Sequence, residues 1–117
     1  MIRVRGVTFI GTATDRRAET SEFLERTLGL RRVEIGGVAA DAFELEDGTV
    51  FAVAGPRELG ETSRTIGLLV DDVDEALAEL ARAGVEPEGP VMRNDRMRYV
   101  HVRFPDGKLY ELVDDRV

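Results

Sequence analysis

The 117-residue sequence writes one pattern of elements twice. Ile10 to Gly29 reads as a strand, then Thr14-Asp15, then an amphipathic helix ending at Gly-Leu. Leu68 to Gly84 reads as a strand, Asp71-Asp72, and an amphipathic helix ending at Gly-Val. Farther on, Phe43-Glu-Leu-Glu-Asp47-Gly48-Thr-Val-Phe-Ala52 is echoed by Val102-Arg-Phe-Pro-Asp106-Gly107-Lys-Leu-Tyr-Glu111. The copies are offset by about 55 to 60 residues, and two of them make a duplicated domain, because a solenoid needs at least about three stacked repeats. Two related sheets then have to pack, and a pocket is expected along their pseudo-twofold.

Each copy reads βαβββ. Val7 to Ala13 is a β-prone run, with Thr14 or Asp15 as the helix cap. Ala18, Phe23, Leu24 and Leu28 recur at helical spacing on one face, and Gly29 sits where a left-handed C-terminal cap belongs. Strands are expected at Arg31 to Ile35, Val38 to Glu46 and Thr49 to Ala54, with a Gly36-Gly37 turn. In the second copy Thr65 to Asp71 is a strand, and Asp72-Val-Asp-Glu75 resembles a capping box. Val73, Ala76, Leu77, Leu80 and Ala81 form the buried stripe of the next helix, which Gly84 ends. A short strand at Val85 to Glu88 and a hairpin of Met97 to Phe104 with Leu109 to Val113 complete the copy. The expected architecture is α+β, one domain over 1–117. Its first module spans 3–54, a linker 55–64 and its second module 65–114, the modules forming a curved mixed sheet around a cleft.

The hairpin turns set the register. Phe104-Pro-Asp-Gly-Lys108 fits a type I turn followed by a glycine bulge, so Phe104 faces Lys108 and His101 faces Glu111. The same count in the first copy places Ala42 opposite Ala52. Phe43, Leu45, Phe51, Val53, Val100, Val102, Phe104, Tyr110 and Leu112 share the bulky side, which belongs under the helices. The other side carries Ala42, Ala52, Tyr99, His101, Arg103 and Glu111, and the same parity adds Thr8 and Thr65 from the first strands. Small residues facing polar and aromatic ones are what a ligand cavity needs. These eight residues are therefore the candidate ligand contacts. His101 and Glu111 are also the catalytic candidates, as an acid/base pair; the plainer reading of the two is an ion pair.

Composition narrows the rest. A net charge of -7 argues against a nucleic-acid partner and fits a cationic ligand. The chain has no cysteine, which excludes disulfides and thiolate metal sites. No apolar run reaches the roughly 18 residues of a membrane span, and the first residues lack a signal peptide's apolar region, so a cytoplasmic protein without a membrane partner is expected. All but one of the 16 basic residues are arginine, the codon usage of a GC-rich bacterial genome.

Three segments together with the duplicated βαβββ order carry a family resemblance. They are Phe23-Leu-Glu-Arg-Thr-Leu-Gly29-Leu, Val70-Asp-Asp-Val-Asp-Glu-Ala76 through Ala83-Gly84-Val, and Phe104-Pro-Asp-Gly-Lys-Leu-Tyr-Glu111-Leu. The chain resembles the vicinal oxygen chelate superfamily, which includes glyoxalase I, bleomycin-resistance and fosfomycin-resistance proteins and extradiol dioxygenases. The resemblance covers about residues 3 to 114 and points to fold more than to reaction. It implies metal ligands on the first and last strands of each module. The histidine positions fall at Thr8 and Thr65, and the carboxylates at Ala52 and Glu111. A one-residue slip from Thr8 to Phe9 supplies no ligand. Glu111 alone is a strong donor, so no metal and no other cofactor is expected. What the resemblance then implies is a metal-free, homodimeric small-molecule-binding protein of the bleomycin-resistance type, sequestering an antibiotic or a cationic metabolite. The alternative is an enzyme of the same fold, a lyase, isomerase or dioxygenase-like protein, working through His101 and Glu111 or an atypical metal site.

Overall fold

The computed structural model describes residues 1–57 and 64–117; most of the expected linker at 55–64 lies outside the described residues. Two compact units emerge, Phe9–Thr65 and the pair of segments Met1–Thr8 and Ile66–Val117. Strand β1 (Val4–Ala13) begins in the second of these and ends in the first.

In the unit Phe9–Thr65, β1 leads to helix α1 (Arg17–Glu22), which runs on as a π-helical turn over Phe23–Thr27. Strands β2 (Arg31–Val33), β3 (Asp41–Glu44) and β4 (Val50–Ala54) follow. The strand order is β2-β3-β4-β1, antiparallel except for the parallel β4–β1 pair. The other unit repeats this plan with β5 (Arg64–Val70, its first two residues still in the unit Phe9–Thr65), helix α2 (Val73–Arg82), β6 (Met92–Arg93), β7 (Arg98–Arg103) and β8 (Leu109–Asp114), in the order β5-β8-β7-β6. The element order is βαβββ twice, and both sheets are mixed. The fold class is α+β, as the repeat predicts.

The hairpin register is the expected one. Val100, Val102 and Leu112 of β7 and β8 bury against Val70, Val73 and Ala76, with Leu77, Leu80 and Phe104 packed around them. In the other unit Phe43 and Val53 close on Leu24, with Phe51 and Leu30 beside them. Both Asp-Gly turns are built alike. Asp47 and Asp106 each accept a bond at 2.9 Å from the amide two residues on, and Gly48 and Gly107 take φ of 88° and 80°, which favours glycine.

Asp72 caps α2 as expected, its Oδ1 accepting from the amides of Asp74 (2.8 Å) and Glu75 (3.2 Å). The α1 cap is different. Arg16 precedes the helix without a side-chain cap, and Thr14 Oγ1 instead accepts from the Arg16 amide at 3.0 Å, closing a turn before the helix starts.

Three expectations are corrected. Phe23 and Leu28 are not under the helix but 51% and 57% exposed. The Leu28 amide bonds the Phe23 carbonyl five residues back at 3.1 Å, so the widened turn breaks the 3.6-residue stripe and leaves Leu24 as its buried member. Ala81 is exposed at the end of α2. Val85 to Glu88 is not a strand; its Glu88 amide makes one backbone bond to His101 at 2.9 Å, and the pairing strand is Met92–Arg93. Pro87 and Pro90 flank Glu88, and proline has no amide to donate to a ladder.

Candidate functional site

The β7–β8 hairpin positions the site. Arg98, Val100 and Val102 point to the helix side by strand alternation, so Tyr99, His101 and Arg103 point to the other. The cross-strand pairs are Tyr99 with Val113, His101 with Glu111 and Arg103 with Leu109. His101 Nε2 stands 3.1 Å from Glu111 Oε2. Glu111 is only 6% exposed, while the His101 side chain keeps 29%. The Tyr99 ring meets the His101 ring edge-on, centroids 5.8 Å apart and planes at 88°. Burial raises the Tyr99 phenol above its ordinary range, and the Glu111 carboxylate adds to the rise, so Tyr99 stays a neutral donor at physiological pH.

Arg103 is placed differently from its two neighbours. It is exposed at the strand end, donating from Nε to Glu88 at 2.8 Å and from Nη1 to the Gly107 carbonyl at 2.8 Å. Its guanidinium braces the turn.

On β5, Gly67 lies beside Glu111, and Thr65 is on the same face two residues earlier. Thr65 is 1% exposed, and its Oγ1 has no hydrogen-bond partner among the described residues. In the other unit Ala42 and Ala52 are direct partners, as the turn count predicts, and both are buried. Ala42 packs with Ile35 and Val50. Thr8 needs a correction of face. Phe9 pairs with Val50 and Gly11 with Ala52, so Phe9 shares the Ala52 side and Thr8 alternates away from it. The parallel β1–β4 register runs one residue off the parity read from the hairpins, which no local turn reveals.

Of the positions that the resemblance gives to ligands, Thr8 (or, one residue on, Phe9), Thr65, Ala52 and Glu111, only Glu111 carries a side chain that is a strong metal donor. Among the described residues no group of three or more His, Cys, Asp or Glu side chains is arranged to hold a metal ion.

A groove of about 390 Å³ in the same unit lies along α2, lined by Ile2, Arg3, Asp72, Glu75, Glu79 and Arg82 among others. It includes none of Tyr99, His101 and Glu111. Its walls mix charged side chains with Ile2, Val70 and Ala76, whereas the His101–Glu111 pair combines low exposure with close geometry.

Sequence reasoning missed a second polar cluster on the helix side of the same hairpin. Arg98 donates from Nε to Asp114 Oδ1 (3.0 Å), from Nη2 to Asp114 Oδ2 (2.6 Å) and from Nη1 to Asp74 (2.9 Å). Asp114 also accepts from the Val73 amide at 2.7 Å, pinning the start of α2 to the sheet. Burial pushes the Asp114 carboxyl up, but Arg98 and the amides of Val73 and Arg116 outweigh it and hold it below the usual carboxylate range. The signal was present: counting the hairpin register two residues past Val100 and Leu112 pairs opposite charges on the core face.

No family profile matches this sequence, and no curated protein matches it either. Solved structures do. A methylmalonyl-CoA epimerase from Mycobacterium tuberculosis matches at TM-score 0.71 with 20% identity, over 97% of this chain and 90% of that one. A methylmalonyl-CoA epimerase variant from Streptomyces coelicolor, in complex with 2-nitronate-propionyl-CoA, matches at 0.67 and 20% identity over 98% and 100%. A glyoxalase/bleomycin resistance protein/dioxygenase superfamily member from Vibrio splendidus matches at 0.64 and 15% identity over 98% and 99%. At these identities the likeness speaks for architecture. Two βαβββ units, each with a mixed sheet and a helix over its bulky side, give this chain the vicinal oxygen chelate fold.

Proposed function

We propose that this chain is a metal-free small-molecule-binding protein, anchoring a cationic or hydrogen-bond-donating ligand on Glu111 and His101. The observation that carries the reading is the His101–Glu111 contact at 3.1 Å on the face away from the helix, with a carboxylate that is only 6% exposed. A carboxylate so placed is costly unless paired, and a ligand cation or donor completes its pairing. Tyr99 adds an aromatic edge and a neutral hydroxyl, and Thr65 adds a hydroxyl that has no partner among the described residues. Arg103 adds a charge at the end of β7, and Thr8 stands outside this set. The net charge of -7 suits a cationic antibiotic or metabolite. The protein acts as one domain over 1–117, a bacterial cytoplasmic homodimer without nucleic-acid or membrane partners. No helix among the described residues is long and apolar enough to cross a membrane.

The test is a thermal-shift screen of cationic antibiotics and small metabolites on the wild type and on Glu111→Gln, since a ligand at 100 times its Kd stabilises by about 2.7 kcal/mol. A hit whose shift disappears in the variant supports the reading. Hits that shift both proteins equally place binding elsewhere and sink it.

A second reading is an isomerase-type enzyme that moves a proton between His101, Glu111 and substrate. It is favoured by the same contact, because a carboxylate bonded to a histidine orients the imidazole and makes it a stronger base toward a substrate proton. Structural neighbours that are methylmalonyl-CoA epimerases make a CoA thioester the first substrate to try. Deuterium uptake from D₂O at the carbon beside the thioester carbonyl, lost in Glu111→Gln, would favour it over simple binding.

A further inference from the structure

The connection between β2 and β3 departs from the hairpin that its residues allow. A tight turn on Gly36-Gly37 would set Val33 opposite Ala40. The structure pairs Val33 with Ala42 instead and leaves 34–40 outside the ladder. Burial of Ile35 offsets the ladder pairs given up. Ile35 belongs to no strand and stands beside two exposed glycines, yet it is only 8% exposed. Its side chain packs on Ala42 and Val50, with Phe9, Val33 and Val38 around it.

This cluster lies on the sheet face turned away from the helix, because Phe43 and Val53 point to Leu24 and their neighbours Ala42 and Ala52 alternate to the other side. A row of very small residues crosses that face: Ala42 pairs with Ala52, and Ala52 with Gly11. In the duplicated plan this row is the counterpart of His101, Glu111 and Gly67. Where the second copy carries a polar pair, the first has an apolar floor of minimal side chains, and Ile35 covers its Ala42 end. The cover has a fixed base and a loose tip. Arg32 and Asp41 are ion-paired at 3.2 Å across the base of the loop, and Arg17 and Ser21 hold Asp41 as well, so the hairpin stays closed if the tip moves. At the tip the Val38 amide reaches the Ile35 carbonyl at 3.3 Å, a long bond, and Gly37 takes φ of 87°.

We propose that Ile35 is the gate of an apolar pocket: the turn lifts, and a hydrocarbon or aromatic group takes the place of its side chain over Ala42 and Val50. Every member of the cluster is apolar, so a charge or an unpaired polar group entering there would be costly, and an uncharged group fits. The pocket is one that a ligand opens rather than one that stands open. The inference does not rest on the reading of Glu111 as a ligand anchor.

Two measurements on the full chain test it. The chain has no cysteine, so Ile35→Cys carries a single thiol, as does Val53→Cys on the fully buried helix side of the same sheet. In native buffer an aromatic disulfide reagent should label Ile35→Cys about a hundredfold faster or more, since Val53 is reached only when the unit unfolds. Equal rates would overturn the gate. The second measurement titrates the uncharged fluorophore N-phenyl-1-naphthylamine. Ile35→Ala should bind it about tenfold more tightly than the wild type, and Ile35→Val, a milder change that keeps the fold, about two- to threefold. Ile35→Ala with Ala42→Leu refills the space from the floor and should return binding to the wild-type level. No gain in either single variant, or a double variant that binds as tightly as Ile35→Ala, would overturn the pocket.

Discussion

Arg98 and Asp114 face each other across the β7–β8 pair and share two hydrogen bonds, at 3.0 and 2.6 Å, on the buried side of the sheet. The row of core-facing pairs ends there in an ion pair rather than a hydrocarbon contact. Its location explains why: α2 starts directly above it, and its first amide, from Val73, needs an acceptor. One carboxylate thus satisfies a buried cation and a helix terminus together.

Removing half of this arrangement should be costly. Asp114→Asn leaves the Arg98 guanidinium buried with its strongest partner neutralised, and the expected loss is about 3 kcal/mol. Urea unfolding monitored by circular dichroism measures it. A loss within 0.5 kcal/mol or so would mean that Asp74 and Asp72 suffice to hold Arg98.

Asp41 makes the α1 unit sensitive to acid. Hydrogen bonds from Arg17 hold its carboxyl at about 2 against the usual 3.8; burial opposes the drop, and Ser21 and Arg32 reinforce it. Its folded pKa is lower than its unfolded one, so its contribution is complete above about pH 4 and vanishes as pH falls toward about 2. Nearly two pKa units correspond to about 2 kcal/mol. Asp41→Asn should lower stability at pH 7 by about that amount. Between pH 4 and pH 2 its melting temperature should fall less steeply than that of the wild type.

Thr65 offers a separation of stability from binding. Its Oγ1 is buried without a partner among the described residues, an arrangement that costs about 1–3 kcal/mol. Thr65→Val should therefore stabilise the free protein by about 1 kcal/mol, a rise of about 4 °C in melting temperature. It should also weaken whatever ligand binds at Glu111. A drop in melting temperature would show that the hydroxyl has a structural partner.

Glu111→Gln keeps the shape and removes the charge. If the pair serves a ligand, stability should change by less than about 1 kcal/mol while affinity for a cationic ligand drops at least tenfold, which isothermal titration would read. A large loss of stability with unchanged affinity would make the pair structural.

The amino-acid sequence by itself was enough for the βαβββ repeat, for both Asp-Gly turns and through them for His101 opposite Glu111 and Ala42 opposite Ala52. Those are local relations: a hairpin's register follows from a turn of a few residues, and strand alternation carries it along. Where two distant segments meet, the tertiary structure decided. The parallel register of β1 on β4, which puts Phe9 rather than Thr8 beside Val50, has no connecting turn to set it. The π turn that exposes Phe23 and Leu28 leaves Leu24 packed on Phe43 and Val53, contacts made far along the chain. The bond from Asp114 to the Val73 amide likewise joins residues on different elements, and only their packing brings the acceptor to the helix end. Local geometry is written in short stretches of sequence, whereas these choices depend on which long-range contacts bury the most apolar surface and leave the fewest polar groups unpaired.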